Sequence, residues 1–376
     1  MRTRVVFTLA LSVASALAQT APAPAAKPDP DLLTLSDGEK LIGHFVRASG
    51  DHVIFHSDVL GDLTIAWANV KELHSAQRYV VVSKDTKLDH RVEANKLPRG
   101  TISEADQTLL IEPTPNAPAQ KIPVADAAHV LDEATFQKVV FHNPGFFQDW
   151  KGAVTAGASI VQATQQSRTF TGAVSLIRAT PAEDWLAPRN RTIVDFSASD
   201  GFEIQPATPK IKTEIVHADA ERDQYFRGKS LYGFGQVAFD HNYSQGLDLQ
   251  SNVGGGLGYT VIQKANETLD FKGSITYVRQ NFQARESDTS LLGSNFIETF
   301  THKTAHGILF LESITITPTW TVLEDYSGAA TGSVSIPVFK RIGFTTAISD
   351  NFLNNPPPGF KKNSFQLTTG LTYTLK

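Results

Sequence analysis

Two histidines in the first third of the chain are spaced four residues apart, which suits a metal site only on a helix. His52 and His56 lie in a run that alternates apolar and polar residues, and such a run is typical of a strand. On a strand, side chains four apart share a face but lie about 13 Å apart along the chain. The pair therefore predicts no metal site, and we expect no metal or other cofactor in this protein.

The chain contains no cysteine. This excludes disulfides, thiolate metal sites and cysteine nucleophiles. The formal net charge is −4, with 34 Lys and Arg against 38 Asp and Glu. Nucleic-acid-binding domains show a basic patch or stripe, so we expect no nucleic-acid partner.

A glycine-rich run at residues 254–258 superficially resembles a phosphate-binding loop. It reads Gly-Gly-Gly-Leu-Gly, but it lies inside an alternating strand pattern, and no helical pattern follows it. A phosphate cradle uses the amino end of a helix after the loop. Glycine in a strand instead permits close backbone approach or a sharp bend. We therefore expect a structural role for these glycines.

Charged and polar residues of the second half fall into two groups. The first group lies at a predicted turn, where it is either solvated or forms a docking surface for the N-terminal module: Asp219, Glu221, Arg222, Asp223, Arg227 and Lys229. The second group is expected to face the lumen of a barrel, where it lines a pore or fills it with salt bridges: Gln236, Asp240, Asp270, Lys272 and Ser274. The sequence does not separate the alternatives in either case.

Catalytic motifs are sparse. The sequence has no G-x-S-x-G motif and so does not support a nucleophile elbow. A membrane-embedded hydrolase would need a serine and a histidine on adjacent strands. Serines are common in the second half, and the histidines there are scattered: His142, His217, His241, His302 and His306. We assign no catalytic residue and expect no enzyme, and we keep the hydrolase as a third hypothesis.

The elements that position these residues begin with an export signal. Arg2 and Arg4 precede an apolar stretch, and a small-x-small pattern ends at Ala18. The stretch is shorter than the ~20 apolar residues of a spanning helix. We therefore predict that residues 1–18 are a signal peptide, cleaved between Ala18 and Gln19.

A tether and a small β module come next. Residues 19–30 are rich in Pro and Ala, which predicts a stiff, extended spacer. Residues 31–140 show short period-two runs between turns, and these predict an SH3-like or Sm-like barrel with Trp67 in its core. A weaker echo suggests two related modules, the alternative being one β domain with an irregular tail. Three pairs of residues share a spacing of 57 positions: Gly43 and Gly100, Ile65 and Ile122, Trp67 and Val124.

Residues 145–376 have the pattern of a transmembrane antiparallel β-barrel. Their alternating segments exceed the 5–6 residues usual for strands of soluble sandwiches, and tight turns alternate with long polar loops. We predict about twelve strands, with ten or fourteen as alternatives. They begin near Lys151, Arg168, Arg189, Lys210, Gln224, Leu247, Glu267, Asn295, Ile308, Tyr326, Arg341 and Asn363. An even number places both ends of the barrel on one side, which for an exported module is the periplasm.

The seventh of these strands has the clearest alternation. It predicts Phe271, Gly273 and Ile275 on the lipid side, and Asp270, Lys272 and Ser274 on the lumen side. Aromatic residues near segment ends predict girdles at the two membrane interfaces. These are Trp150, Trp185, Phe202, Tyr225, Phe226, Phe239, Tyr243, Tyr259, Phe282, Trp320, Tyr326 and Tyr373.

The region from residue 220 to 282 resembles the middle of domain-of-unknown-function family 481, the salt-induced outer-membrane proteins of bacteria, and the resemblance covers roughly residues 145–376. The resemblance rests on a tyrosine-rich hairpin, the strand Gly254-Gly255-Gly256-Leu257-Gly258-Tyr259, Leu269-Asp270-Phe271 and the Pro-rich loop at residues 355–361. It implies an outer-membrane β-barrel in a Gram-negative-type bacterium, with the N-terminal module in the periplasm. It implies no established activity and no catalytic residue.

Three functions agree with this architecture. The first is a channel for small solutes or ions, linked to osmotic or salt stress. The second is a structural envelope protein with a closed lumen, and the third is a membrane-embedded lipid hydrolase. The expected partners are outer-membrane lipid and the outer-membrane barrel assembly machinery. The sequence does not identify a periplasmic partner of the N-terminal module.

Overall fold

The structure is a computed structural model of the 376-residue chain. It describes residues 30–86, 94–114, 118–141, 145–162, 166–182, 186, 188–204, 210–226, 230–264, 266–283 and 288–375. The predicted signal peptide, its cleavage site at Ala18 and Gln19, and the tether up to residue 29 lie outside these residues. The chain divides into two compact units, one formed by residues up to 81 and 98–130, and the other by 82–97 and 131 onwards.

The first unit is an antiparallel β structure. Its described strands pair in the order β4-β3-β2-β1-β5-β6-β7-β8, and β9 pairs with both β2 and β5. The strands are β1 (Asp31–Leu35), β2 (Lys40–Ser49), β3 (His52–Ser57), β4 (Gly61–Ala66), β5 (Val70–Ser83), β6 (Arg99–Ala105), β7 (Thr108–Glu112), β8 (Gln120–Pro123) and β9 (Ala127–Asp132).

Two halves of this unit share one order of elements. A long strand, a hairpin, a 3₁₀ turn and a further strand follow each other in β2–β5 and again in β6–β9. The 3₁₀ turns begin at Trp67 and at Val124, the pair separated by 57 positions. Their amides donate to equivalent places, Trp67 N to Asp51 O at 2.8 Å and Val124 N to Gln107 O at 2.9 Å.

The core of the first unit is apolar and continuous. Trp67 is buried in it, as the sequence predicts. Tyr79 packs against Phe45 with ring centroids 4.9 Å apart, and its hydroxyl donates to the Phe45 carbonyl oxygen at 2.6 Å. Both halves contribute to this core, with Val53, Phe55 and Leu73 from the first and Ile102, Leu109, Ile111 and Val130 from the second.

One carboxyl group is buried in this unit. Glu104 on β6 has no exposed surface, and its Oε1 accepts the Gln107 amide at 2.9 Å. Its Oε2 has no hydrogen-bond partner among the described residues. Burial raises the pKa of Glu104 to about 7, and the nearby carboxylates of Asp106 and Glu72 act in the same direction.

The second unit contains the helix described below and a closed barrel of twelve described strands, in which β10 pairs with β21. The predicted fold is thereby confirmed. The helix α1 (Glu133–Phe141) precedes the barrel. The strands are β10 (Lys151–Gln162), β11 (Gln166–Thr180), β12 (Asn190–Ile204), β13 (Ile211–Tyr225), β14 (Leu231–Asn242), β15 (Leu247–Lys264), β16 (Glu267–Phe282), β17 (Thr289–Lys303), β18 (Leu309–Thr317), β19 (Ser327–Phe339), β20 (Ile342–Leu353) and β21 (Asn363–Leu375). No described helix has the length and apolar character needed to cross a bilayer.

Two predicted strand starts are wrong by six or more residues. The fifth barrel strand begins at Leu231 instead of Gln224, because β13 continues to Tyr225. The eighth begins at Thr289 instead of Asn295. In the first place β13 includes Glu221 and Asp223, which face the inside of the barrel, where polarity does not end a barrel strand.

Connections differ between the two ends of the barrel. We call the end where Lys151 begins β10 and Leu375 ends β21 the near end, and the opposite end the far end. Two near-end turns have two residues each, 265–266 and 340–341, whereas the far-end connections 318–326 and 354–362 have nine each. The contrast is not uniform, since the near-end connection 181–189 also has nine residues and the far-end connections 163–165 and 243–246 have three and four.

The outer face of the barrel is apolar. Phe271 and Ile275 on β16 are exposed there, and similar residues occupy alternate positions of the other strands, among them Phe196, Val253, Leu257, Phe296, Ile314, Ile348, Leu367 and Leu371. Two aromatic residues assigned to the girdles are inside instead. Tyr225 packs against Tyr232, and Phe282 packs with Leu247 and Leu353. Residue type alone does not reveal the face, which depends on the position of the residue relative to the turn.

Candidate functional site in the barrel interior

The barrel encloses a cavity of about 760 Å³ with two unlike walls. One wall, formed by β12–β16, carries ionisable side chains. The other, formed by β17–β20, carries hydroxyl groups from Thr299, Ser313, Thr315, Thr317, Thr331 and Ser349. The interior can therefore solvate a polar solute from both sides.

The five residues that the sequence assigns to the lumen all line this cavity. Gln236 and Asp240 project from β14, and Asp270, Lys272 and Ser274 project from β16. Phe271 and Ile275, which alternate with them, are exposed on the outer face. Asp270, Lys272 and Asp240 are bound in ion pairs, and Gln236 lies near the middle of β14.

A buried ionic network crosses the lumen towards the near end. Arg191 on β12 donates Nε to Asp223 Oδ2 at 2.6 Å and Nη1 to Asp270 Oδ2 at 3.1 Å. Thr260 Oγ1 donates to Asp270 Oδ1 at 2.6 Å. The guanidinium thereby connects β12 to β13 and to β16, three strands beyond β13. We call Arg191, Asp223, Asp270 and Thr260, with the Lys272–Glu221 pair described next, the Arg191 network.

A second ion pair lies beside the first. Lys272 Nζ is 2.7 Å from Glu221 Oε2 and 2.9 Å from Oε1. Both side chains are largely buried, as are those of Arg191 and Asp223. Two cations thus face the three carboxylates of Glu221, Asp223 and Asp270. Because a buried charge is unfavourable without a partner of opposite sign, removing any one of these groups should destabilise the fold.

Aromatic rings support the Arg191 network. The Arg191 guanidinium lies 5.2 Å from the Tyr232 ring centroid, and its Nη2 donates to the Tyr232 hydroxyl at 3.3 Å. Tyr232 packs against Tyr225 with centroids 4.9 Å apart. A Cβ on Gly258 would lie 2.2 Å from the Tyr232 ring. Glycine at 258 therefore provides the space for this ring, which is the structural role expected for the glycine-rich run.

The charged group predicted at a turn is mostly inside the barrel. Glu221 and Asp223 are buried on the inner face of β13, and Asp219 lines the cavity. Arg222 faces outward and donates to the Thr192 hydroxyl. Arg227 and Lys229 lie outside the described residues. The alternation Asp-Ala-Glu-Arg-Asp from position 219 was the available signal, because carboxylates two residues apart share one face of a strand.

A histidine lies between two carboxylates in the middle of the lumen. His217 Nδ1 is 2.6 Å from Asp240 Oδ1, and His217 Nε2 is 3.0 Å from Asp219 Oδ1. An imidazole donates through both nitrogens only when it is doubly protonated. Gln250 and Asn252 add amide donors 3.5 Å from Asp240 Oδ2. The geometry favours a positively charged His217 held by two carboxylates.

The same histidine is relevant to the hydrolase hypothesis. Strand register places His217 directly opposite Ser197 on β12 and Asp240 on β14, so serine, histidine and aspartate lie on three adjacent strands. In such a triad the second ring nitrogen must take the serine proton. Here that nitrogen, Nε2, is bound to Asp219 instead. The described arrangement therefore does not activate Ser197. The described residues also contain no group of three or more side chains arranged to hold a metal ion.

A side chain bridges the lumen at the far end. The 3₁₀ turn Tyr243–Gln245 connects β14 to β15, and Gln245 is buried. Its Nε2 donates to the Asn351 carbonyl oxygen at 2.9 Å and to the Lys362 carbonyl oxygen at 2.8 Å. Gly246 next to it has a positive φ of 65°, and a Cβ there would lie 2.8 Å from the Phe360 ring. We call these contacts the Gln245 bridge.

The charged residues that line the cavity are mainly acidic. Five carboxylates, two permanent cations and the positively charged His217 contribute to its surface, which leaves an excess of two negative charges. The carboxylates are Asp195, Asp219, Glu221, Asp240 and Asp270, and the cations are Arg191 and Lys272. A narrow passage with such walls concentrates cations and repels anions.

A closed barrel with an apolar outer face and a polar interior is a membrane-spanning β-barrel. Within this class, the chain belongs to the family described as "Protein of unknown function, DUF481", which matches residues 154–375. The resemblance inferred from the sequence is thereby confirmed. No curated protein matches the sequence.

Several solved bacterial structures show weak similarity to this chain. An outer membrane channel, COG4313 from Pseudomonas putida F1, has 10% identity and a TM-score of 0.35, with 62% of this chain and 100% of that chain covered. The translocator domain of the autotransporter NalP from Neisseria meningitidis has 10% identity and a TM-score of 0.32, with 60% and 87% covered. OccK11 from Pseudomonas aeruginosa has 9% identity and a TM-score of 0.26, with 62% and 98% covered. The family match, and not these distant similarities, carries the assignment.

Proposed function

We propose that this protein is an outer-membrane β-barrel that conducts small cations through a lumen that is closed at rest. The observation that carries the proposal is the polar cavity of about 760 Å³, whose lining has more carboxylates than cations. A barrel that served only as a scaffold could fill this space with packed apolar side chains. Hydroxyl groups on the opposite wall would replace part of the hydration shell of a passing ion.

The outer-membrane location and the orientation of the barrel are part of the proposal. The apolar outer face requires a bilayer, and the predicted signal peptide directs the chain out of the cytoplasm. Bacterial membrane barrels lie in the outer membrane, where the assembly machinery inserts them. We place the near end and the first unit on the periplasmic side, because short turns occur there in bacterial barrels and an exported N-terminal unit stays there.

The closed resting state follows from two sets of contacts. The Arg191 network joins β12 to β16 across the near half of the lumen, and the Gln245 bridge joins opposite walls at the far end. An ion that passes must displace or bypass both. We connect the salt-stress association implied by the sequence resemblance to this closed state. The Arg191 network is buried, so high ionic strength should weaken it less than it weakens exposed ionic contacts, and the lumen should stay closed.

The experiment is conductance of the purified full-length protein in planar bilayers. A KCl gradient should give a reversal potential of the sign expected for K⁺ permeation. Asp240→Asn should reduce this selectivity, because it removes one lumen carboxylate. The matched control is Asp350→Asn, a carboxylate-to-amide change on the strand position that alternates with the cavity-lining Ser349 and Asn351. An anion-selective current would contradict the proposal.

A closed structural barrel is the second candidate, and the lumen-crossing bonds favour it. In that case neither the natural protein nor a variant lacking the Gln245 bridge should conduct. Loss of the Arg191 network should then reduce stability without creating a current. The two candidates therefore differ in whether a variant that opens the far end gains conductance.

A further inference from the structure

The segment immediately before the barrel folds into a compact loop. We call residues 145–150 the aromatic loop. Gly145 N donates to Gln148 Oε1 at 2.9 Å, and Gln148 N donates to the Gly145 carbonyl oxygen at 3.0 Å. Trp150 Nε1 donates to the Phe146 carbonyl oxygen at 2.7 Å. These bonds fix the loop without using the rings of its two phenylalanines.

A barrel residue holds the aromatic loop in place. Arg178 on β11 donates Nη1 to the carbonyl oxygens of Gly145 and Phe146 at 3.0 and 2.9 Å. Its guanidinium lies 5.7 Å from the Trp150 ring centroid. One cation therefore binds both ends of the loop and ties it to the near end of the barrel.

The aromatic loop lies on the outer side of the wall. Ser175 and Ile177 on β11 line the cavity, so Arg178, the next residue, projects outward. A loop bound by an outward side chain at the first turn of the barrel lies beside the apolar outer face. This is the level at which membrane barrels carry aromatic residues at the interface.

Two phenylalanines project from the aromatic loop into solvent. Phe146 is 73% exposed and Phe147 is 89% exposed, and their rings meet edge to face with centroids 5.0 Å apart. Exposed apolar surface of this size at a fixed loop is unfavourable in water and marks an interaction site. Nothing in the folding of the loop requires phenylalanine at these positions, because its hydrogen bonds come from other groups.

We propose that the aromatic loop is a lipid anchor, which inserts Phe146 and Phe147 into the boundary between headgroups and acyl chains of the leaflet at the near end. Amphipathic elements bind at this depth through apolar side chains together with nearby cations. Arg178 provides such a cation at the base of the loop. The anchor fixes the height of the barrel and the point where the chain enters it. The loop precedes the family-matched region, which begins at residue 154.

The chain has no cysteine, which permits a direct depth measurement. Phe147→Cys in the full-length protein is labelled with a polarity-sensitive fluorophore and refolded into phosphatidylcholine vesicles. The vesicles carry bromine either near the headgroup end of the acyl chains or near their ends, and iodide is the aqueous quencher. Ile275→Cys and Ser274→Cys, labelled in the same way, report the outer face and the lumen of the same barrel.

The proposal predicts shallow insertion at 147. Bromine near the headgroups should quench that label about twofold more than bromine near the chain ends, as for an interfacial residue. Ile275→Cys should favour the deep bromines, and Ser274→Cys should respond to neither. Strong iodide quenching at 147 without bromine quenching would overturn the anchor, whether the rings then face water or another protein. Failure of the Ile275→Cys label to contact lipid would instead contradict the membrane barrel itself, so the two failures are distinguishable.

Discussion

Gln245 lies in the connection between β14 and β15, yet its side-chain amide is 2.9 Å from the main-chain carbonyl oxygen of Asn351 on β20. β14 and β20 are on opposite sides of the twelve-stranded barrel, six positions apart in either direction around it. A single buried side chain therefore spans the far mouth of the lumen. Because its partners are backbone atoms, the bridge does not depend on the identity of the residues it reaches.

The first prediction is that Gln245→Ala opens the far mouth. Loss of both hydrogen bonds removes the lumen-crossing contact, and we expect single-channel conductance to rise several-fold. The free energy of unfolding should fall by about 1–3 kcal/mol, because two backbone acceptors lose their partner. Gln263→Ala, an exposed glutamine near the other end of β15, is the control. Unchanged conductance would show that the bridge is not the barrier.

The second prediction concerns the Arg191 network. Arg191→Gln leaves Asp223 and Asp270 without their shared cation in a buried position, so we expect a loss of about 3–5 kcal/mol in the free energy of unfolding. Denaturant unfolding from vesicles measures it. Arg279→Gln is the matched control, since Arg279 is 60% exposed and bound to Asp288 at the other end of β16. That exposed pair should contribute at most about 1 kcal/mol. Similar losses for the two variants would contradict the network's structural role.

Strand number and most strand starts follow from the sequence because lipid on one side and water on the other impose a strict period of two. The predicted start near Gln224 was wrong because β13 continues through a charged run whose carboxylates face the lumen. A dense charged run ends a strand in a soluble sheet, but here Glu221 and Asp223 face the lumen. Reading the alternation of carboxylates with Ala220 through this run would have extended the strand to Tyr225.

The sites themselves were only partly predictable. Asp270 and Lys272 were assigned to the lumen from local alternation, but their partners Arg191 and Glu221 are distant in sequence. Which residues meet across a barrel depends on the stagger of all intervening strands, and no local pattern encodes it. The Gln245 bridge is missing from the sequence reasoning for the same reason, since its acceptors lie more than a hundred positions away.

The third prediction is that the first unit folds by itself. A fragment of residues 31–140 should unfold cooperatively, because the apolar core described for this unit is continuous. Trp67→Ala should reduce its stability by about 3–5 kcal/mol, as expected for removal of a buried ring. Val59→Ala, at a position 89% exposed, should have almost no effect. A noncooperative thermal transition would show that the fragment is not an independent domain.

The fourth prediction is that raising the pH from about 4.5 to neutral weakens the first unit through Glu104. Its pKa is raised to about 7 in the folded chain, from an ordinary value of 4.5. Folding therefore favours the neutral carboxyl. The contribution of the neutral Glu104 carboxyl to the free energy of unfolding is fully present below pH 4.5. It is lost as the pH rises towards 7, by an amount on the order of 3 kcal/mol.

Hydrogen exchange of the full-length protein tests this effect. Glu104→Gln replaces the titrating carboxyl by an amide that is neutral at every pH. Protection of the β6 and β7 amides from exchange should therefore increase at pH 8 and change little at pH 4.5. Glu112→Gln, an exposed carboxylate on β7, is the control and should alter neither value. A gain for Glu104→Gln that is equal at both pH values would contradict the titration of this group.

The last prediction concerns which face of β16 meets lipid. Ile275 is 59% exposed on the outer face, and Ser274 lines the cavity. Ile275→Arg places a guanidinium where the bilayer core cannot solvate it, so we expect a loss of about 2–4 kcal/mol in the free energy of unfolding. Ser274→Arg should be tolerated, because the lumen offers polar and acidic partners such as Asp270. If the lumen conducts, Ser274→Arg should also lower cation conductance, since it cancels part of the negative excess.

Refolding of the two variants into bilayers provides the comparison, with each serving as the control for the other. A one-residue slip exchanges the two faces of a strand. Equal losses, or a larger loss for Ser274→Arg, would therefore contradict the register of β16 and with it the assignment of the charged wall to the lumen.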